Sequence, residues 1–173
     1  GSRFVRFTAT KSGRTSHLNP VGKTSTMPST TSPSAMTLVA PTRFLIDFAA
    51  NLIDDIDESK WADRCGTTIN HPAFILGHTA YYAGVCMQIL GSDIELSEQD
   101  ASLYQHGAEC ADEPTWYPGK AESIAAFNER INAAADFMES LDEAVFASSS
   151  EETFFSDRFP TLGGVAAFMF LAH

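Results

Sequence analysis

Two histidines sit inside apolar stretches that read as helices. His78 lies within Asn70 to Gly91, NHPAFILGHTAYYAGVCMQILG, and His173 ends Leu162 to His173, LGGVAAFMFLAH. An imidazole among Phe74, Ile75, Tyr81 and Tyr82 must satisfy its ring nitrogens, either with hydrogen-bond partners or with a metal ion. Two such residues on two apolar helices suggest a shared site between helices, and metal ligation by His78 and His173 is one of two readings of it. A pair of hydrogen-bonded core histidines is the alternative.

Other residues that could do chemistry have plainer explanations. His71 lies seven residues before His78 and shares its face, but it stands at the helix mouth, where capping or solvent contact is expected. Tyr82, one turn after His78, either packs in the core or reaches a metal-bound water. Cys86, two turns beyond, reads as buried packing. His106 falls in a long connection and His17 in the N-terminal segment, both as solvated residues. The acids Asp54, Asp55, Asp57 and Glu58 crowd one helix end and read as a solvated turn. No Ser-His-Asp order, phosphate loop or HExxH is present.

Four long amphipathic helices would position these residues. The first is expected from Thr37 or Thr42 to Asp57, with Phe44, Leu45, Phe48, Leu52, Ile53 and Ile56 as its apolar stripe. Trp61 then packs back as an anchor. The second helix is the Asn70–Gly91 stretch, with Asn70 as N-cap, Pro72 in the first turn and Gly91 as C-cap. The third runs from Ala121 to Phe146, with Ile124, Phe127, Ile131, Ala135, Met138, Leu141 and Val145 at the 3.6-residue period. The last opens at Thr161. It carries no stop signal, so it reads as truncated at His173. Residues 92–119 form a long connection with a short helix from Glu98 to His106, and Trp116 and Tyr117 either cap a pocket there or staple the loop to the helices. The fold class predicted is all-α, an up-down four-helix bundle spanning residues 37–173.

Residues 1–36 contain no acid. They are rich in Ser, Thr and Pro and carry Arg3, Arg6, Lys11, Arg14 and Lys23, so this segment reads as a disordered tail. Its make-up is that of a transit peptide, and equally of a tag or over-extended reading frame ahead of Met27 or Met36. The remaining six basic residues face all 22 acids, a net of −16. So acidic a body excludes a nucleic-acid groove and docking on anionic lipid. No apolar run long enough to span a membrane is expected. Three cysteines, Cys65, Cys86 and Cys110, with no CxxC, fit a reducing, cytoplasmic compartment.

The segment Asn70-His-Pro-Ala-Phe-Ile-Leu-Gly-His78 resembles the second-helix motif of the DinB-like (YfiT-like) superfamily. Phe159-Pro-Thr-Leu-Gly-Gly leading to Phe170-Leu-Ala-His173 resembles the approach to that family's last helix. The resemblance implies a four-helix bundle that holds a divalent metal, nickel or zinc, through three histidines. His78 matches the first ligand and His173 the second. The third would fall four residues after His173, so the two-histidine site is expected to be empty or to hold its ion loosely. The implied activity is transfer of a small-molecule thiol cofactor to an electrophile, or metal-assisted hydrolysis. The other reading is a non-catalytic helical protein that acts as a homodimer or by binding a partner.

Overall fold

The computed structural model describes residues 31–171. His173, His17 and the segment 1–30 lie outside the described residues. Six α-helices and no strand occur among the described residues: α1 Pro33–Ile53, α2 Pro72–Ile89, α3 Glu98–Tyr104, α4 Lys120–Glu139, α5 Glu143–Phe146 and α6 Leu162–Leu171. The all-α expectation therefore holds.

Helix α1 begins at Pro33, four residues before the earliest expected start. Ser32 is its N-cap, accepting from the Ala35 N–H, and Pro33 supplies a first-turn φ already suited to a helix. Residues 33–36, read from sequence as tail, belong to this helix. The stripe that packs also differs from the expected one. Ala35, Leu38, Val39, Thr42 and Ile53 are buried, whereas Phe44, Phe48 and Leu52 are 61%, 50% and 59% exposed. The sequence offers two apolar faces on α1, and the one with smaller residues at Ala35 and Thr42 packs inward. By length and composition alone α1 could cross a membrane, contrary to expectation, with a mean hydropathy of 1.3. Its Arg43, however, pairs with Asp136 and Glu139 of α4 at 2.5 and 3.0 Å.

Helices α1 and α4 are antiparallel. Lys120, opening α4, donates to the carbonyls of Asp54 and Ile56 just past α1, and Arg43 meets the far end of α4. The Glu58 carboxylate in turn accepts from the Lys120 N–H. At the other end, Glu143 of α5 accepts from the Ser34 N–H and hydroxyl, placing a negative charge at the positive end of α1. Helix α2 runs in the same direction as α4, a departure from plain up-down alternation. Trp61 joins the two N-termini: its carbonyl accepts from Ala73 and its indole N–H donates to Ser123 at 3.0 Å, while further along both helices Gly84 faces Arg130. The connection 90–119 carries the chain back to the end where α2 began, which is why it is long.

The 3.6-residue pattern read as one helix from Ala121 to Phe146 breaks at Ser140–Asp142 into α4 and α5. Val145 still packs against the core and Phe146 is buried, so the apolar period survives the break. Helix α6 opens as expected, with the Thr161 hydroxyl accepting from Gly164. It starts beside the first turns of α1, around Thr37, Leu38 and Ala167. The shared core gathers Trp61, Leu76, Met87, Phe127, Ile131, Met138, Phe146, Val165 and Phe170.

Candidate functional site: the histidines of helix α2

The N-cap of α2 is His71, not Asn70. Its Nδ1 accepts from the Phe74 N–H at 3.1 Å, and its Nε2 lies 3.1 Å from the Ala111 carbonyl. An Nδ1 that accepts must be unprotonated, so Nε2 carries the proton and donates to Ala111. Both nitrogens are thereby committed. The ring is buried, edge-on to Tyr117 at 4.6 Å, and the Tyr117 hydroxyl accepts from the Ala111 N–H. Burial lowers the His71 pKa from its ordinary value, against the opposing pull of Ala111 and Asp112. His71 thus latches the return loop to the mouth of α2, the capping role expected for it. Tyr117 is the staple of that loop, and Trp116 is 55% exposed.

Two turns further along, His78 is half-buried. Its Nδ1 lies 2.7 Å from the Tyr104 carbonyl at the end of α3. A carbonyl can only accept, so Nδ1 carries the proton and the lone pair resides on Nε2. The ring stacks on Phe74 at 5.6 Å and 18°, and Tyr82 tilts against it at 4.8 Å. Gly77 makes this approach possible: a Cβ there would meet the Tyr104 ring at 2.2 Å. The Tyr82 hydroxyl accepts from the His106 N–H, while the His106 side chain is exposed. Burial drives the Tyr104 phenol up to about 12. The contact to a backbone carbonyl 26 residues away has no sequence signal. The Gly-His pair at 77–78 is the nearest thing to one.

The arrangement around His78 is that of a metal-ligating imidazole in one respect: a backbone carbonyl on Nδ1 fixes the tautomer and leaves the lone pair on Nε2. It does not make a metal site by itself. Among the described residues no group of three or more His, Cys, Asp or Glu side chains converges to hold an ion. His173, the second expected ligand, lies outside the described residues. Cys86 is wholly buried as expected, with its thiol driven up to about 12 by burial, so it offers no thiolate. Asp54, Asp55, Asp57 and Glu58 are all exposed, and two of them serve as caps: Asp57 accepts from Ser59, and Glu58 from Lys120. Clefts on the described surface include one of about 430 Å³ at the start of α1 and α6 and one of about 130 Å³ between α1 and α4; His78 lines neither of these.

No family model, curated protein or solved structure matches the chain.

Proposed function

We propose that this is a DinB-like helical bundle that binds a divalent metal, nickel or zinc, through His78 and His173, and that it serves metal-dependent transfer of a small thiol to an electrophile or a hydrolysis. The observation that carries the reading is the Tyr104 carbonyl on His78 Nδ1, which fixes Nε2 as the donor nitrogen. His78 and His173 would hold the ion, which would supply Lewis acidity to lower the pKa of a thiol or water. The chain's own residues orient the ring: the Tyr104 carbonyl holds the imidazole, while Phe74 and Tyr82 pack against it.

Calorimetric titration of the purified chain with Zn²⁺ and Ni²⁺ tests this. One ion should bind, loosely as two ligands imply, and His78→Ala and His173→Ala should each weaken binding at least ~10-fold. Absence of binding, or binding indifferent to both substitutions, sinks the reading. A second reading, a non-catalytic helical protein that acts by association, is favoured by the exposed apolar face of α1.

A further inference from the structure

Helix α3 is seven residues long, and Tyr104 is the one residue of it that is buried. A helix of about two turns does not hold its shape alone in water, so α3 depends on what it is docked to. It packs chiefly on α2, and its ties to α2 gather at its C-terminal end. The Tyr104 ring lies against Gly77, where a Cβ would come within 2.2 Å of it. The same ring meets Phe74 at 6.1 Å and Tyr117 at 6.2 Å. The Tyr104 carbonyl accepts from His78 Nδ1 at 2.7 Å, and two residues on, the His106 N–H donates to the Tyr82 hydroxyl at 2.9 Å. Gly77, His78 and Tyr82 span about one and a half turns, so one patch of α2 receives the whole end of α3. The other end is self-contained. Ser97 caps it by accepting from the Asp100 N–H, and Glu98, Gln99 and Ser102 are exposed.

We propose that α3 is a clamp on His78, with Tyr104 as the positioning residue: its ring, seated at Gly77, decides which His78 nitrogen carries the lone pair. This deepens the metal reading above and rests on it for the ion, while the tautomer is a property of the metal-free chain. A neutral imidazole has two forms, and the groups its nitrogens meet choose between them. The Tyr104 carbonyl is a main-chain atom. No substitution removes it, and it moves only when α3 moves. The ring and the carbonyl share one Cα, so the notch at Gly77 is the seat that places both. With α3 seated, Nδ1 holds the proton and the lone pair is on Nε2. With α3 released, Nδ1 loses this acceptor, and the proton can pass to Nε2, the nitrogen an ion would need. Release therefore opposes ion binding, and by linkage an ion on Nε2 holds α3 down. A short helix with one buried anchor is the kind of element that opens locally while the rest of the fold stands. Opening at residues 98–106 can thus act on His78 without unfolding α2.

Nitrogen-15 NMR of protein labelled in its histidine side chains tests this, metal-free and at about pH 8, where an ordinary histidine is neutral. His78→Gln assigns the His78 signals. Wild-type His78 should carry its proton on Nδ1. Gly77→Ala, whose methyl unseats the ring, should move much of the population to the Nε2–H form and weaken Zn²⁺ binding roughly 10-fold, as loss of a group that orients a metal ligand does. Tyr104→Ala, which removes the ring and keeps the carbonyl, should act in the same direction. Ser123→Ala loses the Trp61 indole bond without touching α3, so it should lower the melting temperature and leave the tautomer unchanged. Zn²⁺ should also slow amide exchange at residues 101–106 of the wild type. Circular dichroism confirms that each variant folds. A wild-type His78 protonated on Nε2 overturns the proposal. So does an Nδ1–H form that survives both Gly77→Ala and Tyr104→Ala, or a Ser123→Ala protein that shifts as they do. A tautomer that shifts while Zn²⁺ affinity holds overturns the clamp's part in ligation. A wild type that binds no Zn²⁺ sinks the metal reading instead, and the tautomer still decides for or against the clamp.

Discussion

His71 and His78 stand on one helix, seven residues apart, and the chain uses them in opposite ways. At the mouth of α2 both nitrogens of His71 are hydrogen-bonded within a buried latch. At mid-helix the Nδ1–H of His78 donates a hydrogen bond to the Tyr104 carbonyl, and the opposite nitrogen carries the lone pair. Residue type and helical phase are the same. What differs is whether the group facing Nδ1 is an N–H or a carbonyl, and this selects the tautomer. A histidine whose Nδ1 accepts carries its proton on Nε2; one whose Nδ1 donates carries its lone pair on Nε2.

The largest test of that contrast is removal of each ring. His71→Ala loses the cap, strands the half-buried Ala111 carbonyl and leaves a cavity, a combined cost of about 3 kcal/mol. In a protein of this size that lowers the melting temperature by roughly 10 °C. His78→Ala, at a half-buried ring outside any cap, should cost less, ~1–2 kcal/mol. Equal losses in the two variants, measured by thermal unfolding, would erase the distinction. Gly77→Ala comes next. Its methyl would collide with the buried Tyr104 ring and push α3 away from His78, at a cost of about 2 kcal/mol. Gly84→Ala, which meets the flexible ends of Leu96 and Arg130, should cost less. The reverse order would mean that α3 yields easily and holds His78 only loosely.

A smaller effect follows from protonation. Burial holds the folded-state pKa of His71 below its unfolded value of about 6.5. The unfolded chain therefore takes up the proton first, so the stability contributed by neutral His71 is whole above about pH 6.5 and declines as pH falls through that value. Asp57, Asp63, Asp112 and Glu143 have pKa values lowered by their hydrogen-bond partners, so they lose stability only at more acid pH. Melting temperatures between pH 7.5 and 5.5 should therefore fall in the wild type and fall less in His71→Asn, whose amide can keep the cap. The same slope in both proteins would remove His71 from the account.

Much of this architecture is legible in the sequence, because periodicity marks buried faces. Asn70–Gly91 contains α2, and Gly91 ends it with φ +99°, as its type foretells. Trp61 is the anchor that its isolation among polar residues suggests, and Tyr117 is the staple. Periodicity fails where it offers a choice. Helix α1 has two apolar faces, and size at Ala35 and Thr42, rather than hydrophobicity at Phe44 and Phe48, selects the inward one. It also passes silently through the break at Ser140, since α5 resumes in phase. The candidate site is legible only as side chains. His78 is conspicuous in sequence, but the Tyr104 carbonyl that fixes its tautomer is backbone. The N-cap went to His71 over Asn70 because a buried ring can tie the loop down at Ala111 as well.

The exchange of caps between α1 and α4 has a consequence for motion. Lys120 covers the last carbonyls beyond α1, and Glu58, from that same segment, covers the first amide of α4. Helix ends ordinarily fray one at a time. Here the loss of either cap frees the residue that supplies the other, so the two termini open as a unit. Amide protons near residues 56 and 120 should then exchange with solvent through one shared opening, which makes this corner of the molecule a single cooperative element.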